Sequence, residues 1–271
     1  MNVALRQPLS FRFFLALLAA ALFVTTASGQ EFRMDTEVFV GKEKEPIAET
    51  LTIFTNGLIY DFLLNEPKEI TLFDPVRQGF TLLDPARRMR CNISTQEALS
   101  YMLALDSHAA QSQDPLFAFA AMPAFITTAK EYEESGQTFV SLTLAGKPLE
   151  YLAIARTPEN SDAVRAFRNF ADWYARLNAM RPGNLPPGAR LELNKALAER
   201  DLIPVEITRT ITPPNPLARK IEMRSRHLVN WSLSGEDRKR IQRTGTMLAE
   251  FPSVSFDQYR LAGAPATGKD K

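Results

Sequence analysis

A curved antiparallel β-sheet packed against three or four helices, in one α+β domain, is the fold class that this sequence predicts. Three observations carry it. Asn56-Gly57 joins two β-rich runs, Glu49–Thr55 and Leu58–Leu64, and Asn-Gly in that setting is the strongest short-range hairpin signal, because a type I′ turn needs positive φ at both central residues. An internal repeat follows, Ile70-Thr71-Leu72-Phe73-Asp74-Pro75 and then Phe80-Thr81-Leu82-Leu83-Asp84-Pro85, two short strands ten residues apart that each end in Asp-Pro. Later come segments with 3.6-residue apolar spacing and clear caps, which read as helices packed on that sheet.

Taken in order, residues 1–29 read as a secretory signal peptide. Arg6 and Arg12 precede an apolar run from Phe13 to Val24, and small residues follow up to Gly29. The run is too short for a membrane span, which needs about 20 apolar residues. Ala27 and Gly29 suit a cleavage site ending at Gly29, with Ala27 the alternative last residue. The product is expected in the periplasm of a bacterium or outside the cell, with no transmembrane segment in the mature chain.

Of the whole chain's 32 Lys and Arg and 31 Asp and Glu, cleavage removes two arginines and no acids, so the mature charge is close to neutral. That excludes a globally electrostatic partner such as nucleic acid. Residues 30–260 form the predicted domain, long enough to bury a core without staples. With Cys91 alone there is no intrachain disulfide, and its place in an alternating run makes it a small buried hydrophobe.

Phe32, Met34, Val38 and Val40 share one parity, the mark of a half-buried strand. The Asp-Pro aspartates are read as turn formers. A strand over Arg88–Ile93 stops at Ser94-Thr95-Gln96-Glu97, a capping box opening a helix, with a second short helix over Leu116–Ala121. Gln137–Ala145 and Leu149–Arg156 make a hairpin whose two faces are both expected to be largely covered. Asn160 caps a long helix carrying Val164, Phe167, Phe170, Ala171, Tyr174 and Leu177, and Ala189–Arg200 is a shorter one. Val205–Ile211 and Lys220–Leu233 are strands. In the second, Ile221, Met223, Ser225, His227, Val229 and Trp231 take one face, opposite Lys220, Glu222, Arg224 and Arg226. A helix starts at Ser234-Gly235-Glu236-Asp237, and 261–271 is expected to be a disordered tail.

No local motif for metal, nucleotide or nucleophilic catalysis is present, and no cofactor or metal is expected. His108 and His227 are the only histidines. Phe32, Tyr60, Phe62, Phe73 and Phe80 could line an apolar ligand cavity, or could simply fill the core. Arg219–Arg243 holds eight basic residues against three acidic ones. It is read as a solvated face, or as a basic surface using Arg224, Arg226, Arg240 and Arg243 toward an acidic partner. Acids brought together only by folding leave no local trace, so a hydrolase stands as a further class.

The run Ile53-Phe54-Thr55-Asn56-Gly57-Leu58-Ile59-Tyr60-Asp61, followed by Leu72-Phe73-Asp74-Pro75, resembles the early strands of the exported bacterial lipoprotein-carrier (LolA-like) superfamily. The resemblance covers about 35 residues and transfers no functional residue. It implies a half-barrel whose concave apolar face is closed by helices. The implied function is non-enzymatic: an exported soluble binding or carrier module for an apolar or lipid-like ligand. The long helix from Ser161 and the double-proline loop at 186–187 have no counterpart in that pattern. The alternatives are an envelope structural or interaction protein using the 219–243 surface, and the hydrolase.

Overall fold

In the computed structural model, residues 31–215 and 217–261 are described. The signal peptide, its cleavage site and the tail beyond Leu261 lie outside the described residues. Twelve strands form one sheet in the order β12-β6-β5-β4-β3-β2-β1-β11-β10-β9-β8-β7. Strands β1 to β6 (Phe32–Val40, Ala48–Thr55, Leu58–Leu63, Ile70–Asp74, Gly79–Asp84, Met89–Ser94) make one meander. A second runs through β7 to β11 (Ile126–Glu134, Gln137–Ala145, Leu149–Arg156, Ile203–Ile211, Ile221–Asn230). They meet where β1 pairs antiparallel with β11, and only β12 (Ser253–Val254) pairs in parallel, on β6. The sheet does not close, and the fold is an open half-barrel of α+β class.

Turn chemistry sets the first meander. Asn56 and Gly57 have φ of 50° and 74°, the expected type I′ turn. Asp74 Oδ1 accepts the backbone N–H of Val76 and Arg77 at 3.0 and 2.9 Å, and Asp84 Oδ1 accepts that of Arg87 at 2.7 Å. The repeated aspartates are therefore turn formers, as their sequence context predicts.

Six helices accompany the sheet among the described residues, more than the three or four expected: α1 Thr95–Gln111, α2 Pro115–Ala121, α3 Ser161–Ala179, α4 Gly188–Ala198, α5 Gly235–Glu250 and α6 Phe256–Leu261. The excess is in short pieces, for α2 has seven residues and α6 six. Side-chain caps fix the helix starts: Ser94 and Glu97 make the capping box of α1, and Ser234 and Asp237 that of α5. Asn160 accepts from the backbone of Asp162 at 2.7 Å to start α3.

Period-two alternation gives the sheet two apolar faces and three cores. On the concave face, Phe32, Phe54, Phe73, Phe80 and Ile93 pack with Ala98 and Met102 of α1 and with Phe167 and Phe170 of α3. Further along that face, Leu142, Leu144, Leu149 and Ile207 pack with Ala120 of α2 and Leu193 and Leu197 of α4. On the convex face, Leu51, Ile53, Tyr60, Phe62 and Ile70 are covered by Ile241, Met247 and Leu248 of α5. The β8–β9 hairpin departs from expectation, since β9 alternates strictly between covered and more open positions and β8 starts exposed, and β7 beside it is exposed along nearly its whole length. One face of that end is solvated, as antiparallel sheets allow.

Candidate functional site

A cavity of about 550 Å³ lies at the seam between the two concave-face cores. Its floor is the middle of the sheet: Met34, Thr36 and Val38 of β1, Ala48, Thr50 and Thr52 of β2, and Met223, Ser225 and His227 of β11. Its roof is the face of α3 carrying Phe170, Ala171, Tyr174, Ala175 and Ala179, continued by the Arg181–Pro187 loop and the start of α4.

Residue size explains why the space stays open. Aromatic rings fill the first core, where Phe73 stacks on Phe80 at 4.6 Å and meets Phe170 at 6.4 Å. Along the roof, Ala171, Ala175 and Ala179 recur every four residues on one helix face. Opposite them the strands offer Ala48, Thr36 and Thr50. Small residues on both walls, held apart by the flanking cores, leave a gap that neither helix can close. Gly188 sets the position of α4 against α2: a Cβ there would lie 2.1 Å from the carbonyl oxygen of Ala121.

The five aromatics singled out from the sequence do not line this cavity. Phe32, Phe73 and Phe80 are buried in the first concave core, where Phe32 stacks on Phe54 at 4.1 Å. Tyr60 and Phe62 point to the convex face under α5. Register separates them, because Ile59 and Asp61, one residue away from Tyr60, face inward. Of the residues the sequence placed on one face of β11, Met223, Ser225 and His227 line the cavity, while Val229 and Trp231 join the first core.

Arg224 and Arg226 both lie over the Phe39 ring, at 5.0 and 5.3 Å, and Arg226 also reaches Glu206 at 3.4 Å. On α5, Arg243 pairs with Glu236 at 3.0 Å, and Arg240 is half-buried, its carbonyl accepting from Thr244 at 2.9 Å. The basic run is thus divided between strand and helix, with several of its charges already paired.

Polar groups cluster at two places in the cavity wall. At the first, the Thr52 hydroxyl donates to Asp61 at 2.6 Å, and the Tyr174 hydroxyl is a further partner. Burial pushes the Asp61 carboxyl up to about 6, against the pull of those hydroxyls toward the charged form. Arg181 pairs with Glu69 beside it, and Glu69 also accepts from the Tyr259 hydroxyl at 3.0 Å. At the second, Thr36 and Ser225 contact the two ring nitrogens of His227 at 3.0 and 3.1 Å. Burial, and after it the charge of Arg190, push that imidazole down to about 3, so it is neutral at ordinary pH. Arg209 completes this second group from β10, in register with Tyr151 and Met223.

No sequence motif marks these residues, since they come from several different elements. The accessible signal was the alanine spacing of α3, which predicts a helix face too small to fill the space beneath it.

No family model matches this chain, and no curated protein matches it. Among solved structures, a LolA superfamily protein from Nitrosomonas europaea is similar, at 7% sequence identity over 77% of this chain and 89% of that one, with a TM-score of 0.28. The half-barrel assignment itself rests on the strand order and pairing given above.

Proposed function

We propose that this protein is an exported binding or carrier module for an apolar or lipid-like ligand, held between the concave face of the sheet and helices α3 and α4. The observation that carries the reading is the cavity itself, whose 550 Å³ falls within the about 300–1,000 Å³ usual for small-molecule sites. Apolar residues, alanine foremost, make up just over half of its lining, and threonines, arginines, Asp61 and His227 supply much of the rest. Apolar surface facing such a space is stabilised when a ligand removes it from water. Export rests on the Arg6–Gly29 pattern, and no helix among the described residues is long and apolar enough to cross a membrane.

The carboxylates near the cavity have structural partners, Asp61 in Thr52 and Tyr174, and Glu69 in Arg181 and Tyr259. That division of labour favours binding over acid–base chemistry. Native mass spectrometry of protein purified without detergent tests the reading. An adduct released on denaturation, or one-to-one uptake of added hexadecanol, is expected. A bare protein that takes up none would overturn it.

A further inference from the structure

The second polar group holds two arginines with an unusual shortage of partners. The Arg190 Nε donates to Asn194 Oδ1 at 3.0 Å, and Asn194 in turn donates to Asp172 at 2.8 Å, so an amide stands between Arg190 and the nearest acid. Asp172 is shared with Arg168 at 3.6 Å. Arg209 has the thioether of Met223 as its hydrogen-bond partner, a weak acceptor. Among the described residues neither arginine forms an ion pair with a carboxylate.

The two guanidinium groups also repel one another. Burial, and with it the charge of Arg209, holds Arg190 below its ordinary value, although Tyr151 and Asp172 act the other way. Like charges placed together in a partly dehydrated wall carry a free-energy cost that an anion between them removes. The start of α4 adds to the same potential: Pro187 supplies no side-chain cap, and Pro187, Ala189 and Arg190 of that first turn line the cavity. Neutral His227 leaves the field to the arginines, with the Ser225 hydroxyl near it as a further polar contact.

Resting on the carrier reading above, we infer that the ligand is an anionic amphiphile. Its carboxylate or phosphate head is held by Arg190 and Arg209, and its chain runs along Ala171, Ala175 and Met34 toward Phe170. Guanidinium groups suit both heads, because they offer paired donors to a planar carboxylate or a phosphate.

Displacement of a fluorescent apolar probe by hexadecanoate, hexadecyl phosphate and hexadecanol tests this, with each kept below its aggregation limit. The wild-type protein should prefer at least one of the two anions over the alcohol by about tenfold or more, as expected for charge-assisted hydrogen bonds. Arg190→Gln with Arg209→Gln should erase that preference while hexadecanol still binds, which also shows that the variant is folded. If the double variant binds nothing, Arg209→Gln alone, which leaves the Asn194 bond intact, is read in the same way. A stronger response to hexadecyl phosphate assigns a phosphate-bearing lipid, and a stronger response to hexadecanoate a free fatty acid. Equal affinity for all three in the wild type, or a preference that survives both variants, overturns the anion site and leaves the carrier reading standing. Failure of all three to bind overturns the carrier reading and this inference with it.

Discussion

The Thr52 hydroxyl donates to Asp61 across 2.6 Å in the cavity wall. A 4%-exposed carboxyl there is tolerated because it has hydroxyl partners and an Arg181–Glu69 pair beside it, yet burial still makes it take up a proton more readily than an exposed aspartate.

Asp61 and His227 make opposite contributions to stability against pH. The folded value of Asp61, about 6, lies above its ordinary 3.8, so its stabilising effect is complete below 3.8 and lost as pH rises through 6. His227 falls from 6.5 to about 3, so its effect is complete above 6.5 and lost as pH falls toward 3. Between about pH 4 and 6 the two slopes cancel, each being roughly 1.4 kcal/mol per pH unit. Asp61→Asn removes one of them. Its stability relative to wild type should therefore rise by about 3 kcal/mol from pH 4 to pH 7 in urea titrations, and a pH-independent difference would contradict the assignment.

Phe170 joins the roof to the first core through edge or tilted contacts with Phe54, Phe73 and Tyr174 at 6.0, 6.4 and 5.1 Å. Phe170→Ala should cost about 3–5 kcal/mol by chemical denaturation. A loss below about 1 kcal/mol would mean that α3 is not anchored through this ring.

Two glycines should respond in opposite directions to alanine. At Gly188 the new Cβ meets the Ala121 carbonyl at 2.1 Å and the Ala120 carbonyl at 2.8 Å, forcing α4 away from α2 at a cost of about 1–3 kcal/mol. At Gly245, within α5, nothing lies within 4 Å, and Gly245→Ala should gain about 0.5–1 kcal/mol. Thermal denaturation of both variants reads the two signs.

Cys91 is fully buried, and burial pushes its thiol up to about 11. A thiol reagent at pH 8 should leave the native protein unlabelled and modify one cysteine per chain after unfolding in guanidinium. Rapid labelling of native protein would show that β6 opens.

Elements whose pattern is imposed by one buried face were legible: the Asn56-Gly57 hairpin, the Asp-Pro turns, the capping box at Ser94, and the two faces of β11. Strand β7 left no such trace. Ile126–Glu134 is an exposed edge strand, so nothing selects for alternation along it, and its Lys130, Glu131, Glu133 and Glu134 suit an unpaired edge. The cavity was misplaced among the aromatics for a related reason. Large rings mark where space is filled, whereas a void is marked by small residues such as Ala171 and Ala175, which in sequence look like ordinary helix formers. Arg190 and Arg209 are 19 positions apart and reach the same cavity only through the packing of α4 against β10.

The most direct test is to fill the cavity from its roof. Ala175→Trp adds bulk to the face of α3 that looks onto Thr36, Ala48 and Thr50, at a position that belongs to neither flanking core. Binding of a fluorescent apolar probe, measured alongside circular dichroism, should be one-to-one in the wild type and lost in the variant with its spectrum unchanged. Undiminished binding by a folded variant, or no binding by the wild type, would contradict a ligand site between the sheet and α3.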